Sequence, residues 1–145
     1  MKISTKGRYA LRVMSALATD DSGDYVPLKD IAKKQEISEK YLEAIIKSLV
    51  KAKFVVGVRG KGGGYRLACP PTKITVKDIL EATEGSLAPV ACLETGCSTC
   101  PRANECVTLP MWQGLHSMIQ DYLSSITLEQ MIQQAVDRGV PLEMI

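Results

Sequence analysis

The chain has 145 residues, enough for one compact domain or for a small domain with an appendage. Hydrophobic residues make up 46% of it and aromatic residues only 5%, so we expect an aliphatic core of the kind that helices build. No stretch approaches the ~20 consecutive apolar residues that a membrane helix needs. The polar N-terminus has no apolar signal core, and we therefore expect a soluble, cytoplasmic protein.

The formal net charge of +2 hides an uneven distribution along the chain. Residues 1–67 carry 14 Lys and Arg against seven Asp and Glu, whereas residues 68–145 carry four against nine. A basic first half favours a polyanionic partner, because Lys and Arg gain affinity by releasing counterions from phosphates. A solvated basic surface is the alternative that charge by itself leaves open.

The first half of the chain has the pattern of a helix-turn-helix. Apolar spacing predicts an amphipathic helix over residues 4–19, and a short second helix begins near Pro27. Ser38 is a suitable N-cap for a third helix that runs to about Ala52 and has one apolar side. Two short helices joined by a tight turn, the second with a polar outer stripe, are typical of this DNA-binding motif. The outer stripe consists of Lys40, Glu43, Ala44, Lys47 and Lys51.

A β-hairpin is predicted directly after the third helix. Two short strands at residues 54–59 and 64–67 flank a glycine-rich turn, which is the position and form of a wing. The turn is not a phosphate-binding loop, because Lys61 is followed by Gly62 rather than by Ser or Thr. No strand–GxGxxG–helix pattern is present either, and we exclude nucleotide binding.

The helix and the hairpin together predict a DNA interface. We expect the third helix in the major groove, where its lysines reach phosphates or guanines and Glu43 accepts a hydrogen bond from cytosine N4. The alternative for Glu43 is an ion pair with Lys47 one turn along the helix. Basic side chains of the hairpin suited to phosphates or a minor groove are Arg59, Lys61 and Arg66. Candidates for phosphate contact from the first helix are Thr5, Lys6 and Arg8.

The second half predicts two more capped helices and one long one. Capping boxes at Thr75 and Thr127 open helices that end near Glu84 and Gly139, and residues 85–105 are predicted to be loop. A long helix from about 108 to 126 has apolar residues spaced by three and four, as in a coiled-coil seam. The residues of this seam are Met111, Trp112, Leu115, Met118, Ile119, Tyr122, Leu123 and Ile126.

Four of the five cysteines lie within fifteen residues, at Cys92, Cys97, Cys100 and Cys106. In a cytosolic protein such a set is more typical of metal binding or redox chemistry than of disulfides. Thiolates bind zinc, copper(I) or iron–sulfur clusters, and only the central CxxC pair has the spacing of a zinc knuckle, so the spacing leaves zinc and a cluster open. A thiol-redox enzyme is a further alternative, although no βαβ pattern surrounds the pair. Cys69 is interpreted as a packed residue and His116 as a surface or interface residue.

Several segments together resemble the Rrf-type family of bacterial winged-helix regulators, and most of all its IscR-like members. The segments are residues 6–11 (KGRYAL), 37–43 (ISEKYLE), 58–65 (VRGKGGGY), 106–112 (CVTLPMW) and 126–128 (ITL). The resemblance implies a non-enzymatic regulator, mostly α-helical with a β-hairpin wing and a long dimerisation helix. It also implies a homodimer that binds double-stranded DNA at a roughly palindromic operator.

The resemblance further implies an iron–sulfur cluster. IscR-like regulators hold a two-iron two-sulfur cluster with three cysteines and a histidine. Cys92, Cys100 and Cys106 fall on the three cysteine positions, but Leu109 stands at the histidine position and cannot ligate iron. Cys97 is then the candidate for the fourth thiolate, and a four-iron cluster is the alternative cofactor.

Together, these implications predict a repressor that senses an iron–sulfur cluster and controls genes of iron–sulfur cluster biogenesis or related sulfur and iron genes. The alternatives within the family are a cluster-free or zinc-bound repressor of cysteine metabolism, of the CymR type, and a nitric oxide or redox sensor, of the NsrR type. The full cysteine set argues against the first, and the absence of an acidic residue near Arg8 against the second. We divide the chain into a winged helix-turn-helix (1–84), a cysteine-rich cluster-binding loop (85–107) and a region with the dimerisation and C-terminal helices (108–145).

Overall fold

The computed structural model describes residues 2–94 and 100–145 of the chain. These residues form six α-helices and one antiparallel pair of strands, which confirms the predicted mostly helical fold with a hairpin. The elements are α1 (Thr5–Thr19), α2 (Leu28–Gln35), α3 (Glu39–Lys51), β1 (Val55–Val58), β2 (Gly64–Leu67), α4 (Val76–Glu84), α5 (Leu109–Ser124) and α6 (Leu128–Asp137). Within the described ranges, no helix combines the length and the apolar character needed to cross a membrane.

The helices begin where the sequence places their caps. The hydroxyl of Ser38 accepts a hydrogen bond from the Tyr41 N–H at the start of α3. The capping boxes of α4, at Thr75, and of α6, at Thr127, are both complete. Each cap satisfies a backbone donor that would otherwise lack a partner, a contribution of about 1 kcal/mol. Local chemistry therefore determines where these helices begin.

The described part of the loop before α5 contains two short helical turns that the sequence does not predict. Residues 85–105 were expected to be irregular because of their Gly and Pro content. The structure has two short 3-10 turns there, Ala91–Leu93 and Ala103–Glu105. In both turns, i to i+3 backbone hydrogen bonds form over three residues, which is the length at which this geometry is common.

One apolar core joins the helix-turn-helix to the last helix. Leu42, Ile45, Ile46 and Leu49 on the inner side of α3 are buried as predicted, whereas Tyr41 is only half-buried. Leu128 of α6 is fully buried in the same core. Two backbone hydrogen bonds join the segment before α6 to the segment before α4. They run from Leu128 N–H to the Ile74 carbonyl at 2.8 Å and from Val76 N–H to the Ile126 carbonyl at 2.9 Å. The division of the chain into three regions stays a prediction, and α6 packs with the first of them.

Helix α5 has two apolar sides with different surroundings. Ile119 and Leu123 pack against a second buried cluster formed by Val76, Leu80 and Leu87. No residue of α5 is fully buried. Large apolar side chains on its other side are exposed, namely Met111, Leu115, Met118 and Tyr122. The predicted seam is therefore split between an internal contact with α4 and an outward stripe.

The hairpin is attached to the loop before α2 by a short backbone bridge. Val26 and Tyr65 exchange two N–H···O=C hydrogen bonds of 2.8 Å each. The neighbouring Gly64 has a φ of +155°, and a Cβ at this position would overlap the Val26 backbone. A glycine is thus required where the two backbones approach.

We expect Gly64→Ala to lower the free energy of unfolding by about 1–3 kcal/mol, because the new Cβ forces the bridge to Val26 apart. Urea unfolding followed by circular dichroism measures the change. Lys61→Ala, in the exposed turn of the same hairpin, is the control and should stay within about 0.5 kcal/mol of the parent. Equal stability of the Gly64 variant and the parent would show that the bridge does not hold the hairpin.

Candidate functional site

A groove lies between the outer side of α3 and the β-hairpin. Its volume is about 400 Å³, and it is lined by Glu43, Ile46, Lys47, Val50, Gly57, Val58, Arg59 and Tyr65. The groove brings together side chains from two elements that the sequence predicted separately to meet DNA. Glu43, Lys47 and Arg59 supply its charged groups, so it carries two cations against one carboxylate.

The whole outer stripe of α3 is solvent-exposed. This follows from the burial of the opposite side of the helix, since side chains on a helix separate into faces with a period of 3.6 residues. The only ion pair in the described ranges joins Lys77 to Glu81, so Glu43 does not pair with Lys47 in this structure. The Glu43 carboxylate is therefore left to face the groove. The exposed stripe residues are Lys40, Glu43, Ala44, Lys47 and Lys51.

The three basic residues of the hairpin have different surroundings. Arg59 and Lys61 are exposed in and beside the turn. The guanidinium of Arg66 lies 4.4 Å from the centre of the Tyr25 ring, a cation–π contact that restricts its position. The sequence around Arg66 could not reveal this contact, because Tyr25 lies in a loop forty-one residues before Arg66.

Among the predicted DNA contacts on the first helix, Lys6 faces α3. The ammonium of Lys6 donates a hydrogen bond to the Ser48 hydroxyl at 2.9 Å, so it is engaged inside the protein. Thr5 and Arg8 are exposed, and a guanidinium nitrogen of Arg8 lies 3.4 Å from the Thr5 hydroxyl. Ser48 is a second residue that sequence reasoning missed, since a serine within a helix has no distinctive local pattern.

Three of the four predicted metal-binding cysteines line one pocket at the N-terminus of α5. The pocket has a volume of about 220 Å³. Its lining residues are Cys92, Leu93, Cys100, Ala103, Cys106, Leu109 and Gln113. The fourth cysteine, Cys97, lies outside the described residues. The apolar Leu109 faces the same space as the thiols and offers them no donor atom.

The thiol of Cys106 is placed where its anionic form is favoured. The hydrogen bond from the Thr108 hydroxyl, at a Sγ–Oγ1 distance of 3.5 Å, lowers the pKa of the Cys106 thiol. The backbone N–H groups of Thr108 and Leu109 and the charge of Arg102 also lower this pKa, whereas desolvation raises it. Since thiolates are the form that binds metals, the start of α5 favours ligation at this residue.

The donor set of the pocket fits a thiophilic group, with three thiols and mainly apolar neighbours. In the part of the chain that the structure describes, no three His, Cys, Asp or Glu side chains lie close enough to hold one metal ion. The three thiols are therefore gathered in one pocket without forming a complete metal site. A complete set of four ligands needs a donor beyond Cys92, Cys100 and Cys106.

Two other groups singled out in the sequence lie apart from this pocket. Cys69 is half-buried and packs against the main core. His116 lies two turns into α5, and its Nδ1 is buried without a hydrogen-bond partner among the described residues. Neither residue lines the cysteine pocket.

Comparison with known proteins identifies similar regulators over most of the chain. The family model Rrf2, an iron-dependent transcriptional regulator, matches residues 3–134. The HTH-type transcriptional regulator IscR of Vibrio campbellii is 38% identical over 132 residues, which are 91% of this chain and 77% of that protein. The structure of CymR, the global cysteine regulator of B. subtilis, matches with a TM-score of 0.73 and 36% identity, covering 92% of this chain and 98% of CymR. IscR of T. potens matches with a TM-score of 0.71 and 38% identity, covering 93% and 88% of the two chains.

Proposed function

Because the chain belongs to the Rrf2 family of DNA-binding transcription regulators, we propose that it is a repressor that senses an iron–sulfur cluster. Its targets in this proposal are genes of iron–sulfur cluster biogenesis or of related sulfur and iron metabolism. The observation that carries the proposal is the pocket in which Cys92, Cys100 and Cys106 meet at the start of α5. When bound, a cluster supplies an iron-dependent constraint on the loop, since metal binding by thiolates is coupled to local folding.

The fourth ligand in this proposal is Cys97. Leu109 cannot ligate iron, although it lines the pocket beside the three thiols. Cys97 lies in the same loop between two of the pocket cysteines, and a thiolate is the donor type that iron–sulfur clusters most often take. A two-iron two-sulfur cluster is the proposed cofactor, with a four-iron cluster as the alternative.

The proposed DNA-binding mode places α3 in the major groove and the hairpin beside it. Lys40, Lys47 and Lys51 would contact phosphates or guanines. The carboxylate of Glu43, which has no ion pair within residues 2–94 and 100–145, would accept a hydrogen bond from cytosine N4. Ala44 offers a methyl group of the kind that contacts thymine. Residues of the hairpin and of α1 are proposed to contact the DNA backbone or a minor groove. They are Arg59, Lys61 and Arg66 in the hairpin and Thr5, Lys6 and Arg8 in α1.

The proposed assembly is a homodimer through α5. Met111, Leu115, Met118 and Tyr122 follow one another at intervals of four, three and four residues and are all exposed. This is the spacing of a two-helix seam, and a large exposed apolar stripe favours a protein partner. A two-fold dimer presents two copies of α3 and so favours a palindromic operator.

The alternative is a regulator of cysteine metabolism without a cluster, or with zinc. The structural similarity to CymR and the presence of Leu109 among the thiols favour this alternative. It predicts a colourless protein, whereas the cluster proposal predicts broad visible absorption.

We expect anaerobically purified protein to contain iron and sulfide and to absorb in the visible range. Cys97→Ser should abolish this absorption, and the added substitution Leu109→His should restore it by supplying a nitrogen ligand from the same pocket. Cys69→Ser is the matched control and should keep the spectrum of the parent. Zinc in place of iron, or no metal after reconstitution, would contradict the cluster proposal and leave the DNA-binding function intact.

Two substitutions should distinguish recognition of DNA bases from contact with the DNA backbone. In a selection from random duplexes, Glu43→Ala should change the preferred base at one position of each half-site. Arg59→Ala should weaken binding across sequences, by up to about tenfold, without changing the preferred site. Anisotropy titrations at fixed salt measure both effects. An unchanged site preference for the Glu43 variant would remove this residue from base recognition.

We expect Met118→Lys to convert the protein to a monomer, because the substitution buries a charge in the proposed α5 seam. Met118 is 70% exposed in the single chain, so the substitution should leave the fold intact. Sedimentation velocity measures the change. Leu142→Lys replaces another exposed apolar residue outside α5, and this control should remain dimeric. A dimeric Met118 variant would place the subunit contact elsewhere.

A further inference from the structure

Glu84 joins the start of the cysteine loop to the start of α1. It is the last residue of α4, and the loop of residues 85–107 follows it directly. Its Oε1 accepts a hydrogen bond from the Ser4 backbone N–H at 3.0 Å and another from the Ser4 hydroxyl. Ser4 is the N-cap of α1, so a carboxylate from α4 holds the first turn of a helix eighty residues away in sequence.

The first turn of α1 is shaped to accept this carboxylate. A Cβ at Gly7 would overlap Glu84 Oε1, so the absence of a side chain at this position lets the carboxylate lie against the helix. A negative charge at a helix N-terminus is favourable, because the free N–H groups there carry partial positive charge. Steric fit and electrostatics thus support the same contact.

The same turn of α1 contacts α3, the proposed recognition helix. Lys6, between Ser4 and Gly7, donates a hydrogen bond to the Ser48 hydroxyl of α3 at 2.9 Å. The Ser48 hydroxyl lies 3.4 Å from the carbonyl of Ala44, a residue of the exposed outer stripe. Lys6 therefore joins the first turn of α1 to the residue of α3 that is hydrogen-bonded to the carbonyl of Ala44.

An apolar contact joins the same elements a few residues further into the loop. Leu87 is only 4% exposed and packs in a cluster with Val76 and Leu80 of α4. Ile3, which precedes α1, and Ile119, from α5, pack against that cluster. The segment before α1 and helix α5 therefore pack against the same small cluster, to which the cysteine loop contributes Leu87.

We infer that Glu84 is a positioning residue for the DNA interface and the residue through which the cysteine loop acts on it. Glu84 immediately precedes the loop, so a shift of the loop that reaches the end of α4 would move its carboxylate, and this carboxylate binds the N-cap of the turn that bears Lys6. The inference rests on the proposed function, because it assigns the connection between the proposed sensor pocket and the recognition helix.

The direction in which DNA affinity changes when Glu84 is removed distinguishes a positioning role from a purely electrostatic effect. Removing a carboxylate from a protein that binds phosphates should tighten DNA binding if charge is all that matters. If Glu84 positions α1, its removal should weaken binding despite the more favourable charge. Glu129→Ala removes the same charge from an exposed position on α6 and measures the purely electrostatic change.

The experiment compares operator affinity for the full-length parent, Glu84→Ala, Glu84→Gln and Glu129→Ala, each without and with its cluster, at fixed salt. We expect Glu84→Ala to weaken binding by the cluster-free protein on the order of tenfold, as for the loss of hydrogen bonds to a charged group. Glu84→Gln should weaken it less, because the amide oxygen still accepts from Ser4. In Glu84→Ala, the operator affinities of the protein with and without its cluster should become more nearly equal. The visible spectrum should remain that of the parent.

A second substitution tests the contact itself. In the parent, Gly7→Ala should lower the melting temperature, because its Cβ displaces the carboxylate. In the Glu84→Ala background the same substitution should lower it less, because the overlap with Glu84 is gone and only the Ile3 methyl, 3.1 Å from the new Cβ, remains close. Amide exchange at residues 4–8 should be faster in Glu84→Ala than in the parent. Tighter or unchanged operator binding by Glu84→Ala, or an equal change of melting temperature for Gly7→Ala in both backgrounds, would overturn the inference.

Failure of the inference and failure of the proposed function give different results. Equal affinity of the cluster-free and cluster-loaded parent removes the sensing function, and the affinity of cluster-free Glu84→Ala still decides the positioning role. If the parent binds no DNA, the proposed function fails. If, in addition, amides 4–8 exchange equally fast in Glu84→Ala and in the parent, the inference is overturned as well.

Discussion

Burial of the apolar side of α3 is the constraint on which the candidate DNA interface depends. Leu42, Ile45, Ile46 and Leu49 are removed from water, and burying such side chains contributes about 1.5–3 kcal/mol each. A rotation of the helix would expose them, so its outer stripe is held toward solvent. The chain then turns at Lys53, which has a φ of 65°, and enters β1. The hairpin is thereby placed beside the stripe, and the groove between them results.

Helix α5 connects three parts of the molecule. Its first turn lines the cysteine pocket, one of its sides packs against α4, and the other exposes an apolar stripe. A change in the pocket therefore acts on an element that also touches the core and the proposed subunit contact. Rigid packed helices transmit such changes because a close-packed contact has few alternative arrangements.

Two carboxylates, Glu43 and Glu84, have contacts that bear on the proposed DNA interface. Glu43 faces the groove and forms no ion pair with any other described residue, and Glu84 comes from the acidic second half to hold the start of α1. A surface built only of cations would bind phosphates without preference for sequence or orientation. In the proposed function, one of these groups reads a base and the other keeps the phosphate-binding turn in place.

The sequence by itself determined the features that depend on neighbouring residues. Helical periodicity identified the two faces of α3, and capping residues located the starts of α3, α4 and α6. Tertiary structure alone decided which side of α5 meets α4, that α6 completes the first core, and that Lys6 binds Ser48. It also brought Cys92, Cys100 and Cys106 to one pocket and Glu84 to Ser4. The physical reason is that periodicity marks an apolar face without its partner, whereas contacts between distant residues depend on how the helices pack.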